Sequence, residues 1–236
     1  MYIKMIPYGI YMAWVRLKGI KRYFLNRFKG EEAAWRYGQE VFRKWSDVTI
    51  KMIGMDIHIE GKENIPKETC VFMGNHQSLL DIPLLRHAIG REIDLVAKAE
   101  LVKAPVVGYW ITHLKSVTLD RNDARQGVRA INKAIENVKE GYTFGIFPEG
   151  TRSKDGKLNE FKKGSLKIAT KSKVPIIPFA LSGTSACFEE KKRFSPGRVN
   201  IIFGEKIETK NLSKEEETEL LNKLYDKVCT MYKTII

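Results

Sequence analysis

The first place in this chain where side chains could do chemistry is Asn75-His76-Gln77-Ser78-Leu79-Leu80-Asp81. In a regular helix His76 and Asp81 would lie about 140° apart and would not meet. They can meet if His76 sits in the turn after the apolar run Cys70-Val71-Phe72-Met73 and Asp81 lies near the start of a helix. Pro83 favours that geometry, because proline is tolerated in a first helical turn. A carboxylate on one ring nitrogen fixes the tautomer and raises the basicity of the other, which can then take a proton from an alcohol. Two other readings compete. Ser78 and Asp81 could form a plain capping box with His76 in a surface turn, or Ser78 could be a covalent nucleophile. No Gly-x-Ser-x-Gly elbow supports the second, and Gly183-Thr184-Ser185-Ala186-Cys187 misses that pattern at its last position.

Arginines stand where they could hold a phosphate bidentately, which lysine cannot do. Arg121 follows Ser116-Val117-Thr118-Leu119-Asp120, and Arg152 lies in Pro148-Glu149-Gly150-Thr151-Arg152-Ser153 after the apolar Phe144-Gly145-Ile146-Phe147. Gly150 would let backbone approach a ligand closely. Lys162, Lys163 and Gly164 precede a helix whose first amides suit an anion. Lys98 and Lys163 are further candidate phosphate contacts. Singly, these arginines could be surface ion pairs and the Pro-Glu-Gly segment only a turn. Val174-Pro175-Ile176-Ile177-Pro178-Phe179 reads as wall rather than chemistry, its prolines suggesting an edge or irregular strand.

These motifs need a scaffold, and the pattern after residue 50 supplies one. Strands are expected at 55–60, 70–75, 93–98, 116–120, 143–148, 174–182 and 198–207. Helices are expected at 81–89, 124–139, 164–172 and 213–233, the last opened by a Ser213/Glu216 capping box. The alternation predicts a single α/β domain, 51–236, with a mixed, largely parallel sheet flanked by helices and antiparallel additions near the C-terminal end. The candidate residues fall at carboxyl ends of strands, where such folds collect their chemistry.

Residues 1–50 read differently. The first 30 contain seven basic residues and no acid, within a chain of 236 residues and net charge +13. Residues 5–15 are apolar and aromatic but fall short of the roughly 20 needed to cross a bilayer. Leu17, Ile20, Phe24 and Phe28 then recur at helical spacing between cations. Anchors beside cations describe an amphipathic membrane-interface element drawn to an anionic bilayer surface; the competing reading is a helix packed on the domain. The excess charge would also suit nucleic acid, but no recognition module for it is present. Cys70, Cys187 and Cys229 have no disulfide or zinc spacing and imply a reducing compartment. The four histidines show no metal-ligand spacing, so no metal site is expected.

In combination the motifs resemble the glycerolipid acyltransferase family, specifically the 1-acylglycerol-3-phosphate (lysophosphatidic acid) acyltransferases. The first block, His-x-x-x-x-Asp, is His76 to Asp81, and the third, Phe-Pro-Glu-Gly-Thr-Arg-Ser, is complete at 147–153. The second keeps Asp120 and Arg121 without the usual Phe and Ile, and the fourth matches 174–178. The resemblance, over about residues 70–183, implies that His76 deprotonates a glycerol hydroxyl and that Asp81 orients it. It also implies an acceptor site of Arg121, Glu149, Gly150, Thr151 and Arg152. Amides near Glu149 and Gly150 are expected to stabilise the oxyanion. The co-substrate would be an acyl-CoA or acyl carrier protein thioester, with no metal or nucleotide cofactor. The acceptor, lysophosphatidic acid, is a membrane lipid, so a monotopic enzyme on the cytoplasmic face of the inner (plasma) membrane is expected. Another lysolipid or aminoacyl-lipid acceptor, or a basic binding protein on this scaffold, stays open.

Overall fold

A computed structural model describes residues 5–120, 123–153 and 156–236. Seven strands form one sheet: β1 (Met55–Glu60), β2 (Val71–Gly74), β3 (Asp94–Lys98), β4 (Val117–Leu119), β5 (Phe144–Ile146), β6 (Ile176–Ser182) and β7 (Gly197–Phe203), in the order β1-β7-β6-β2-β5-β3-β4. From β6 to β4 all neighbours are parallel. β7 runs antiparallel to β6 and parallel to β1, so the last two positions are reversed. Every residue of β2, β5 and β6 is buried, as required of strands covered on both faces, whereas β1 at the edge alternates between partly buried and exposed.

The two-residue period divides the core. Val71, Met73, Ile176 and Ala180 pack against α5 (Ala124–Lys139), α6 (Lys163–Ser172) and α8 (Lys214–Ile235). Phe72, Ile177, Phe179 and Leu181 pack on the opposite face with Leu84, Leu85 and Ala88 of α3 (Asp81–Ile89). The described residues include two further short helices, α4 (Val107–His113) and α7 (Thr184–Cys187).

Of the two readings of the proline-bearing strand, edge or irregular, the first is corrected and the second holds: β6 lies inside the sheet, between β7 and β2, and its pairing is interrupted. Its ladder to β7 begins at Phe179–Phe203, yet Ile176 pairs with Ile207, so one extra residue bulges out on the partner side. Pro178 sits opposite that bulge. Its carbonyl accepts from Gly204 N at 2.8 Å, and its missing N–H falls where the regular ladder is already interrupted.

At the N-terminus α1 (Met5–Lys29) and α2 (Glu31–Ile53) form a hairpin broken at one residue, Gly30, whose φ of 87° excludes a side chain without strain. The second helix runs three residues past the expected boundary. Among the described large apolar side chains of α1 only Val15 is buried. Ile6, Ile10, Trp14, Leu17, Ile20, Phe24 and Phe28 are all more than half exposed, forming a stripe about 33 Å long. No helix among the described residues is long and apolar enough to cross a membrane.

The hairpin is pinned to the sheet by Asp94 at the start of β3. Its fully buried carboxylate accepts from Trp35 Nε1 (3.0 Å) and Gln39 Nε2 (3.2 Å) of α2, and from Ser116 Oγ (3.0 Å). Burial pushes its pKa up to about 6 against these donors. The charge is therefore a cost above about pH 6, and Asp94 should add stability as pH falls from about 7 toward its unfolded value near 4. Asp94→Ala strands three buried donors and should lower unfolding free energy by about 3 kcal/mol. Urea titration in detergent measures that, and hydrogen exchange should show α2 losing protection first.

Candidate active site

Five parallel strands end on one side of the sheet, and the loops leaving them assemble around His76. β2 ends at Gly74, and the side chain of Asn75 then continues the ladder in place of backbone: Nδ2 donates to Leu181 O (2.9 Å) and Oδ1 accepts from Leu181 N (2.8 Å). His76 follows, and both of its backbone polar groups are held by the loop after β5. Its N–H donates to Glu149 Oε1 at 2.7 Å. Its carbonyl accepts from Ser153 N at 2.7 Å and Ser153 Oγ at 2.9 Å. Phe147 stacks on the ring, centroids 4.2 Å apart.

The chain then curls so that Asp81, first residue of α3, returns to His76. Asp81 Oδ2 lies 2.6 Å from His76 Nδ1 and also accepts from the amides of Gln77 (2.6 Å) and Ser78 (2.9 Å). Its other oxygen accepts from Thr184 Oγ1 just beyond β6. No capping box forms, because α3 is preceded by Leu80 without a side-chain cap; the carboxylate oxygen ties the Gln77 and Ser78 amides to the imidazole instead. Because a carboxylate faces Nδ1, the neutral ring carries its proton there and leaves Nε2 as acceptor. Asp81 is fully buried, while the His76 side chain keeps 15% exposure, enough to meet a ligand. Ser78 Oγ accepts from Leu80 N and is itself fully buried, which disfavours a nucleophilic role.

His76 opens into a cavity of about 190 Å³ lined by Lys98, Phe147, Gly150, Thr151 and Arg152 among others. It lies between two larger spaces. It shares Leu79, Ile82 and Leu101 with an apolar cavity of about 330 Å³, walled by Tyr8, Met12 and Val15 of α1, Phe42 and Trp45 of α2, and Trp110 of α4. It shares Lys98, Phe147 and Gly150 with a third cavity of about 320 Å³.

The expected acceptor residues are placed unequally. Gly150, at φ 70° and with Lys162 Cε only 3.0 Å from where a Cβ would stand, lines the cavity with Thr151 and Arg152. Arg152 Nη1 binds Glu189 Oε1 at 2.6 Å, which also accepts from Leu79 N; burial of Glu189 is outweighed by these donors, holding its pKa below the ordinary value. Lys98 lines the cavity and pairs with Glu100 at 2.8 Å. Arg121 lies outside the described residues. Lys163 is exposed and lines none of these cavities, where Lys162 and Lys167 do line the third.

Glu149 points inward instead. It is 2% exposed, and Oε2 accepts from Asn159 N and Nδ2, both at 2.8 Å, while Oε1 holds His76. Burial raises its pKa against those hydrogen bonds. Of the amides expected near an oxyanion, that of Gly150 donates to Phe147 O within the turn. Sequence reasoning missed Asn75, Ser153, Asn159, Thr184 and Glu189 as parts of this construction; only the Asn-His step directly after an apolar strand hinted at the first.

A family model described as Acyltransferase matches residues 56–182. A 1-acyl-sn-glycerol-3-phosphate acyltransferase of Saccharomyces cerevisiae is 33% identical over 188 residues, 78% of this chain and 62% of that protein. A chloroplastic one of Brassica napus is 38% identical over 61% of this chain and 42% of its own length. This chain thus spans less than two thirds of both these relatives. One from Borreliella burgdorferi is 32% identical over 80% of this chain and 76% of that protein. The crystal structure of the 1-acyl-sn-glycerophosphate (LPA) acyltransferase of Thermotoga maritima superposes with a TM-score of 0.83 at 34% identity, covering 98% of this chain and 94% of that one. This chain belongs to the acyltransferase family.

Two substitutions separate the supports of His76. Asp81→Asn keeps the shape but misplaces the proton, and should lower kcat by about 10²–10⁴-fold. Glu149→Gln turns one accepting oxygen into a donor against His76 N or Asn159. It should reduce kcat about tenfold or more with little change in acceptor KM. A large acceptor KM increase with kcat intact would make Glu149 a substrate contact after all.

Proposed function

We propose, from that membership and the geometry around His76, that the chain transfers a fatty acyl group from an acyl thioester to the 2-hydroxyl of 1-acylglycerol-3-phosphate, giving phosphatidic acid. The observation that carries this reading is the 2.6 Å His76–Asp81 contact in a cavity joined to a large apolar one. His76 Nε2 takes the hydroxyl proton as the oxygen attacks the thioester carbonyl. Asp81 stabilises the imidazolium. As the tetrahedral intermediate collapses, the C–S bond breaks and the imidazolium returns its proton to the thiolate leaving group. The thioester bond is energetic enough for this exchange to proceed without a resident metal or nucleotide.

The apolar cavity, in the size range of ligand pockets, suits the acyl tail. Arg152, Lys98 and Thr151, which line the His76 cavity, suit the acceptor's phosphate, and the family's motif adds Arg121. Arg152 would share its guanidinium between that phosphate and Glu189. The exposed stripe of α1, interleaved with Lys18, Lys21, Arg22 and Arg27, would lie in the interface of an anionic bilayer on its cytoplasmic face. The helix that walls the acyl cavity would then also be the one that meets lipid, and both acceptor and product reside there.

The direct test is transfer from a labelled acyl thioester to lysophosphatidic acid in detergent micelles, comparing wild type with His76→Ala. Phosphatidic acid from wild type alone is expected. Equal activity in both would remove His76 as base, and no product from either would redirect the reading to other acceptors. For the membrane element, Trp14→Ser/Phe24→Ser/Phe28→Ser should weaken partitioning onto vesicles containing anionic phospholipid by about tenfold or more. Unchanged sedimentation with vesicles would assign the stripe to another partner.

A further inference from the structure

The third cavity is a cleft between α5 and α6, opening directly beside His76. Its two walls have a glycine each, Gly127 in α5 and Gly164 in α6. A glycine within a helix costs up to about 1 kcal/mol relative to alanine, and close packing or a positive φ ordinarily explains it. Neither applies here. Apart from its own helix backbone, a Cβ at Gly127 would come no nearer than 3.9 Å to its surroundings, one at Gly164 would have nothing within 4 Å, and neither residue has a positive φ. Two unforced glycines face the same cleft, and what they preserve is its width.

The surroundings are cationic. α6 presents Lys163, Lys167 and Lys171 and contains no acid. The lining itself carries three cations, Lys98, Lys162 and Lys167, whereas Arg125, Arg129 and Lys133 of α5 lie outside it. The floor and sides are apolar, including Leu119, Val128, Ile131 and Ile146, with Asn132 and Ser165 as polar groups and Lys162 and Lys167 on the lining. A bare glycerol phosphate would leave most of such a lining unmatched.

We infer that this cleft takes the phosphopantetheine arm of the acyl-thioester donor, its phosphate meeting the lysines. This rests on the acyl-transfer reading above. A donor whose carbonyl sits at His76 and whose tail fills the apolar cavity must lead its thiol arm out by another opening. The His76 cavity lies between the apolar cavity and the cleft, and those two share only Ala97. The arm is slender and amide-bearing and ends in a phosphate, which fits a narrow apolar cleft with amide and hydroxyl partners and cations along it.

The test uses the full chain in detergent micelles with lysophosphatidic acid as acceptor. One acyl group is presented on coenzyme A, on acyl carrier protein, on 4′-phosphopantetheine and on N-acetylcysteamine, which lacks the outer arm and phosphate. Gly164→Trp and, independently, Gly127→Leu should raise KM about tenfold or more for the donors with the full arm. KM for the N-acetylcysteamine thioester and for the acceptor should stay within about twofold. Lys167→Glu should raise KM selectively for the phosphate-bearing donors, and the CoA and carrier-protein arms show which of the two the cleft serves. Melting curves confirm that each variant folds, and either glycine variant alone suffices. A rise in acceptor KM instead, or unchanged KM for every donor, overturns the assignment while leaving the acyl-transfer reading intact. A wild type inactive with all four donors overturns that reading itself.

Discussion

The site depends on two loops gripping one residue's backbone. Glu149 and Ser153 take the N–H and C=O of His76, so the loop after β5 fixes where the loop after β2 holds its histidine. β2 and β5 are adjacent parallel strands, so their carboxyl ends emerge side by side and the bonds need span only the gap between neighbouring strands. With the backbone fixed, Asp81 need only set the ring, and Phe147 closes one face. Burial makes this grip stiff, because a buried carboxylate that loses a donor has no water to replace it. The Phe-Pro-Glu-Gly-Thr-Arg-Ser block therefore divides by direction. Its Glu and Ser reach back to hold the histidine, while its Gly, Thr and Arg face the cavity.

The N-terminal hairpin is built on a different principle. It buries little of α1 and relies on polar anchoring through Asp94, with aromatic contacts from Tyr11, Tyr37 and Trp45 around Val15, Val41 and Trp110. That leaves a helix whose inner side contributes Tyr8, Met12 and Val15 to a cavity and whose outer side is uncovered apolar surface. An exposed stripe of this extent is unusual for a protein surface facing water alone.

Much of the scaffold was legible because local chemistry marks it. Asp123 caps α5 by accepting from the amides of Arg125 and Gln126, and Ser213 and Glu216 close a full capping box on α8. The His76–Asp81 meeting was foreseeable from a turn, a proline and the impossibility of a helical contact. What spacing could not reveal was direction. Glu149 and Gly150 are adjacent, yet the turn sends one inward and leaves the other on the cavity. Lys162 rather than Lys163 reaches the cleft for the same reason. Pro178 looked like an edge signal because the compensating bulge lies about 25 residues further on, and local pattern does not encode strand order. The Arg152–Glu189 pair joins residues 37 apart and left no mark in either motif.

The pairing of Asn75 with Leu181 and the contact of Asp81 with Thr184 span 106 and 103 residues. Bonds of such reach form only after long loops have closed, and the entropy of that closure delays them relative to helices and hairpins. The reactive geometry therefore depends on long-range closures that helices and hairpins do not need. A nascent chain that has made its helices but not joined β2 to β6 has no assembled base.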